Sequence, residues 1–167
     1  MEVKIEAKLT QKEMFSFLMK HSYSSFGGFV GVLLSICAFI GFFTYLPNPN
    51  IQVAYKLVLL LTGLLFTVIQ PLMLYQKAGK QIKKNTSFAN AITYVFNERL
   101  IEVSQDEAKI SFEWNEITKV TTTKKLVIIY LGKVRAFVLP KSAIGDRLND
   151  LEDLIRKYSA ATLIHWK

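Results

Sequence analysis

The sequence predicts an α+β membrane protein: a two-helix transmembrane hairpin, then a cytoplasmic antiparallel β-sheet or small barrel capped by a C-terminal amphipathic helix. Three observations predict it. Two uncharged apolar runs, Phe26–Leu46 and Leu57–Tyr75, lie close together in a chain of 167 residues. Beyond them the pattern changes to short alternating segments separated by polar turns. The last part of the chain then spaces its apolar residues as a helix does. Apolar residues make up 51% of the chain, high for a protein that lives in water.

The N-terminal residues 1–25 read as a cytoplasmic strand and helix. Val3, Ile5, Ala7 and Leu9 alternate with Glu2, Lys4, Glu6 and Lys8, the period of a half-buried strand. Thr10 then opens "TQKE", with Glu13 placed to complete a capping box. A helix from about Gln11 to His21 follows, with Met14, Phe15, Phe17 and Leu18 on its apolar side.

Residues 26–75 read as the hairpin. A helix rises about 1.5 Å per residue, so about 20 residues cross a hydrocarbon core of about 30 Å. Both apolar runs meet that length, and membrane helices tolerate Gln70 and Pro71 near the end of the second. The joint "PNPNIQVAYK" has the prolines and asparagines of a tight turn. Tyr45, Tyr55 and Tyr75 fall near span ends, where the ring sits in lipid and the hydroxyl in water. A cleavable signal peptide fits poorly, because polar sequence precedes the first run and a second run follows it. Cys37, the one cysteine, lies inside the first run, where a buried, inert thiol is expected.

Lysines orient the hairpin. The joint carries Lys56 alone. Lys4, Lys8, Lys12 and Lys20 precede the first span, and Lys77, Lys80, Lys83 and Lys84 follow the second. Basic residues stay on the cytoplasmic side, so both termini are expected on the cytoplasmic side of the membrane. The four lysines after the second span are assigned to the membrane surface and its lipid headgroups, three of them (Lys77, Lys80, Lys84) on one helical face. Orientation alone is the plainer reading of the same charges. Gly27, Gly31 and Ser35, spaced by four, are assigned to close helix packing, within the hairpin or between copies in a homo-oligomer.

Residues 76–167 read as the β-rich domain. "AITYVFN", "RLIEVS" and "AKISFEW" are strands, with turns at Asn97-Glu98 and Gln105–Glu107. "ITKVTTT" is β-branched, but Ile117 and Val120 break strict alternation, so a bulge is expected. "KLVIIYL" is apolar throughout, as for a strand covered on both faces. Gly132-Lys133 turns into "VRAFVLP", where Pro140 ends the strand. Ile144, Leu148, Leu151, Leu154, Ile155 and Tyr158 then fit one helix over about Ser142–Tyr158. "TLIHWK" is an extra strand or a tail.

The segments "FEWNEITKV", "LVIIY" and "FVLPK" resemble the YcxB-like family of small bacterial membrane proteins, chiefly at Trp114, Ile117, Val120, Phe137, Leu139, Pro140 and Lys141. The resemblance implies a cytoplasmic domain similar to bacterial pleckstrin-homology-like folds, with those residues in structural roles. It brings no established activity and no catalytic residue. The polar lead before the first span, with its own strand pattern, departs from the family.

Nothing in the residues points to catalysis, a cofactor or a metal. His21 and His165 stand apart from any ligand cluster, and no nucleotide-binding or zinc motif occurs. Asp146, Asp150, Glu152 and Asp153 read as a solvated helix face, and Glu113 and Glu116 as outward strand residues. The net charge of +8 suits lipid headgroups, since no basic, aromatic-rich strand of the RNA-reading type is present. The expected function is a membrane-anchored interaction or scaffold module for a protein partner or anionic lipid. The alternative is an immunity or envelope-stress protein acting against a membrane-directed toxin. An enzyme with a hidden site at the membrane face is a third, weaker reading.

Overall fold

Strand β1 (Val3–Ala7) and strand β2 (Ile92–Phe96) are far apart in sequence yet pair antiparallel, Val3 opposite Phe96 and Ala7 opposite Ile92. The structure, a computed structural model, describes residues 2–84, 90–132, 135–161 and 163–166. It divides into two units: residues 18–79, and residues 1–17 together with 80–167. The β1–β2 pairing is what joins the N-terminal residues to the second of these.

In that unit β1 and β2 continue through β3 (Ile101–Gln105) to β4 (Ala108–Phe112), giving one four-stranded antiparallel sheet in the order β1-β2-β3-β4. A second sheet has the order β7-β6-β5-β8, with β5 Ile117–Thr122, β6 Leu126–Leu131, β7 Arg135–Pro140 and β8 Leu163–His165. β8 runs parallel to β5, and the other pairings are antiparallel. The sequence had suggested one sheet or a small barrel; the fold has two sheets, and the tail supplies the extra strand. Alternation places β1 as expected but not β4, where Ile110 is exposed although Phe112 is buried. Val3, Ile5 and Ala7 are buried, while Lys4 and Glu6 between them are exposed. β6 is central to its sheet, and Leu126, Val127, Ile128 and Ile129 are all fully buried. The register of β5 slips between Ile117 and Lys119, the expected bulge. Gly132 takes φ +58° after β6, a conformation that costs any residue with a Cβ. Lys133 of that expected turn lies outside the described residues.

The closing helix is not continuous. α5 (Lys141–Ile144) ends at Gly145, a 3-10 turn covers Gly145–Arg147, and α6 runs from Leu148 to Tyr158. Gly145 adopts φ +60°, outside any right-handed helix, and that breaks the expected single element. On either side of the break, Ile144, Leu151, Leu154 and Ile155 enter one core with Val3, Ile5, Phe96, Trp114, Ile117 and Leu139. Arg147 donates to the Lys4 carbonyl at 2.8 Å, which occupies an acceptor on an edge strand.

α1 (Gln11–Tyr23) begins with the expected capping box. Thr10 N–H donates to Glu13 Oε2 at 2.8 Å, and Glu13 N–H to Thr10 Oγ1 at 3.3 Å. The helix runs two residues past His21. α2 (Phe26–Tyr45) starts at Ser25, whose hydroxyl accepts from Gly28 N–H at 3.1 Å. After the turn the chain is helical from Val53 to Lys84: α3 (Val53–Leu64), a π turn (Leu65–Ile69) and α4 (Gln70–Lys84). The second helix is thus longer at both ends than the apolar run alone implied.

Pro71 accounts for the π turn. It has no N–H, and its ring collides with the carbonyl four residues back in a regular helix. Widening the preceding turn removes the collision without ending the helix, a known accommodation in apolar helices. Gln70 N–H now reaches the Leu65 carbonyl.

Candidate functional site

The seam between α2 and α3 is built from small residues. Gly28, Gly31, Ser35 and Ala38 are the buried positions of α2, and Gly63 is the buried position of α3. Gly31 is open for the Phe66 ring, and a Cβ there would overlap it. Gly63 is the reciprocal case: a Cβ would lie 2.8 Å from Phe39 Cδ1. Each helix therefore inserts a phenylalanine over a glycine of the other. Ser35, fully buried, donates to the Thr62 carbonyl at 3.2 Å. Of the packing residues read from sequence, Gly31 and Ser35 lie on the seam and Gly27 does not. Gly27 is exposed with nothing near its missing Cβ; its neighbour Gly28 is buried, against the Ser22 carbonyl at the end of α1.

The same unit ties the end of α1 to the π turn. The Tyr23 hydroxyl donates to the Phe66 carbonyl. That carbonyl is left over by the proline: Gln70 N–H is turned to Leu65, and Pro71, the next candidate donor, has none. Gln70 Nε2 donates to Ser22 Oγ at 2.7 Å. At the other end of the hairpin, Lys56 donates to the Leu46 carbonyl at 3.1 Å and the Asn48 carbonyl at 2.8 Å. The lone lysine of the joint thus serves as a C-terminal cap for α2, where the helix dipole is negative. Cys37 is exposed on α2, contrary to the buried thiol expected from its apolar surroundings. Being in an apolar run did not place it on the seam.

Lys77, Lys80, Lys83 and Lys84 are all exposed on α4, and Ala78 among them is fully buried. At about 100° per residue, all four lysines fall within an arc of about 120° opposite Ala78. Lys83 therefore joins the face that Lys77, Lys80 and Lys84 define. No Asp or Glu occurs anywhere between Glu13 and Glu98, so the stretch from Met14 to Asn97 carries positive charge only.

Trp114, Ile117, Phe137, Leu139 and Pro140 are all buried, and the first four belong to the common core. Trp114 opens a 3-10 turn (Trp114–Glu116) between β4 and β5, and its indole N–H donates to the Asn97 carbonyl at 2.9 Å. Phe96 and Tyr158 lie 6.2 and 6.0 Å from it, ring to ring. Phe137 meets Tyr94 and Phe112 edge-on, at 5.3 and 5.2 Å. Burial pushes the Tyr94 hydroxyl up to about 12, so it stays neutral in the core. Glu113 and Glu116 are not outward strand residues. They cap the 3-10 turn, with Glu113 N–H donating to Glu116 Oε1 at 2.9 Å.

Among the described residues no group of three His, Cys, Asp or Glu side chains is placed to hold a metal ion. A shallow groove of about 450 Å³ is lined by Glu2, Asn97, Glu98, Arg99, Leu100 and Glu102. It brings together no nucleophile and base. The described residues offer surfaces and an apolar helical pair. What the sequence reading missed was Tyr23, Phe39, Phe66 and Lys56, and only Pro71 gave a hint of the first and third.

Residues 96–155 match the family model of YcxB-like proteins. The uncharacterized protein YcxB of Bacillus subtilis (strain 168) is 24% identical over 114 residues, covering 67% of this chain. The match spans 62% of that relative's own length, less than two thirds. No solved structure matches. The matched stretch runs from the end of β2 to the end of the α6 core face, with buried Phe96 and Ile155 at its two limits. Over that stretch, from Phe96 to Ile155, this chain is similar to the YcxB-like family.

Proposed function

We propose that the protein is a membrane-anchored interaction module. The hairpin crosses the bacterial inner membrane, both termini face the cytoplasm, and the β-rich unit, a pleckstrin-homology-like arrangement, engages a protein partner beside the membrane. One observation carries the reading. Among the described residues, every exposed large apolar side chain except Ile110 and Leu163 lies between Phe26 and Tyr75. Phe26 is 84% exposed, Val53 69% and Met73 65%. A surface this apolar is far beyond what a protein leaves in water. Both helices are also long and apolar enough to cross a bilayer, with mean hydropathy 2.3 in each. Lysines stand at the outer ends of both helices and only Lys56 at the joint, which supports the cytoplasmic placement of both termini.

Cys37 makes the test simple, because it is the chain's one thiol and is exposed on α2. In intact membranes the full-length protein should leave Cys37 unlabelled by a maleimide until SDS is added. Cysteine placed at exposed Asn50 should react from outside the cell, and at exposed Glu107 only after permeabilisation. Ready labelling of Cys37 in membranes, or of Glu107→Cys from outside, would overturn the anchoring. For the interaction role, a photo-crosslinker replacing Ile110, 58% exposed on edge strand β4, should give a discrete adduct in membranes. Absence of any adduct from Ile110 and from other exposed β-unit positions would count against it.

A further inference from the structure

The second helix is too long for the membrane. From Val53 to Lys84 it has 32 residues, against 20 in α2. At about 1.5 Å per residue these are about 48 Å and about 30 Å, and the hydrocarbon core is about 30 Å thick. With Val53 near one interface, the hydrocarbon ends near Met73 to Tyr75, and about 10 residues of unbroken helix project beyond it. Every charged residue of α4 lies in that projection. Taking Tyr75 as the interfacial ring, Lys77 stands about 3 Å above it, Lys80 about 7 Å, Lys83 about 12 Å and Lys84 about 13 Å. Headgroups occupy about 5–7 Å on each side.

We propose that these lysines form a graded ladder for the phosphate groups of an anionic lipid surface. Lys77 and Lys80 sit at headgroup depth and carry most of the attraction. Lys83 and Lys84 reach into water and contribute through the screened surface potential alone. This inference rests on the membrane reading above. The face suits that partner: the four ammonium groups share one arc opposite buried Ala78, and no carboxylate lies on α4 to neutralise them. The lysines are strung along an axis at successive steps of about 4.5, 4.5 and 1.5 Å. That spacing addresses successive headgroups and does not converge as a cage for one free anion. Topology alone requires only that the charges be on the inner side; a ladder additionally requires that their depths matter.

The full-length protein is to be reconstituted in bilayers of phosphatidylcholine with phosphatidylglycerol, extracted gently, and its retained lipid weighed by native mass spectrometry. The wild type should retain phosphatidylglycerol over phosphatidylcholine. Lys77→Gln and Lys80→Gln should each lower that preference about fivefold, the factor for one lysine at the surface. Lys83→Gln and Lys84→Gln should lower it less than about twofold. Molar salt should erase the differences, and millimolar inorganic phosphate should not displace the lipid. Equal effects of the four substitutions, no preference in the wild type, or displacement by inorganic phosphate would each overturn the ladder. Cys37 protection is read on every sample. Its loss in the wild type would mark failure of the anchoring itself, and its retention assigns a negative result to the ladder.

Discussion

The two units use the same amino acids in opposite ways. In the hairpin the buried positions are small, Gly28, Gly31, Ser35, Ala38 and Gly63, while Phe29, Phe43, Leu61 and Met73 face outward. In the β-rich unit the buried positions are large, Phe96, Trp114, Ile117, Leu139 and Leu151, and the charged residues stand outside. On the proposed membrane placement, the difference follows from the solvent each unit meets. Burying a large apolar side chain contributes about 1.5–3 kcal/mol when the alternative is water. It contributes little when the alternative is lipid, and helices then associate through close backbone approach and hydrogen bonds. The β unit is held by the volume of its core, and the hairpin by the absence of volume at its seam.

That contrast is broken most severely at Trp114. Trp114→Ala removes the ring that meets Phe96 and Tyr158 and leaves the Asn97 carbonyl without its indole donor. A loss of about 3–5 kcal/mol is expected, enough to unfold a marginal domain. Limited proteolysis of the membrane-bound protein should then release the β-rich unit while Cys37 remains protected. If proteolysis is unchanged, the core does not depend on large residues as described.

Adding volume should be the damaging change in the hairpin. Gly31→Ala places a methyl group into the Phe66 ring, and a cost of about 1–3 kcal/mol is expected. Gly27→Ala adds the same methyl one turn away, into open space, and should cost nothing at the seam. Cysteine pairs placed across α2 and α3 in a Cys37→Ser background report helix proximity through disulfide yield. The yield should fall for Gly31→Ala and hold for Gly27→Ala. Equal yields would mean that packing at Gly31 is not what joins the helices.

The reason the sequence supports one part of this comparison better than the other lies in the range of the signals. Alternation over five residues is local, so β1, β2 and the uniformly apolar β6 were legible, as was the helical spacing of Leu151, Leu154 and Ile155. The pairing of β1 with β2 across the hairpin, which helps make two sheets from the expected one, has no local signature. Gly145 looked like a tolerated glycine within a helix, because only its φ of +60° tells that the helix stops there. On α2 the sequence offers small residues on two neighbouring faces, through Gly27 or through Gly28. Gly28 is the buried one because the end of α1 packs against it at Ser22, and that contact has no signature in the spacing. The lysine quartet was legible because composition alone reveals it; the capping role of Lys56 was not, because it depends on carbonyls 8 and 10 residues away.

Pro71 sharpens the comparison on its hydrogen-bonding side, with the smallest expected effect. The Phe66 carbonyl lacks a helical donor, and the Tyr23 hydroxyl supplies one. On the proposed membrane placement no water can take over, so Tyr23→Phe should weaken the hold of α1 on the hairpin by about 0.6–2 kcal/mol. Pro71→Ala returns an N–H to the helix and lets the widened turn relax toward regular geometry. The carbonyl then no longer needs Tyr23. In the Pro71→Ala background, the additional cost of Tyr23→Phe should shrink toward zero, read as a coupling energy in a double-mutant cycle on resistance to SDS unfolding. Additive costs would show that Tyr23 stabilises the hairpin by packing alone, and the link from proline to orphaned carbonyl to tyrosine would fail.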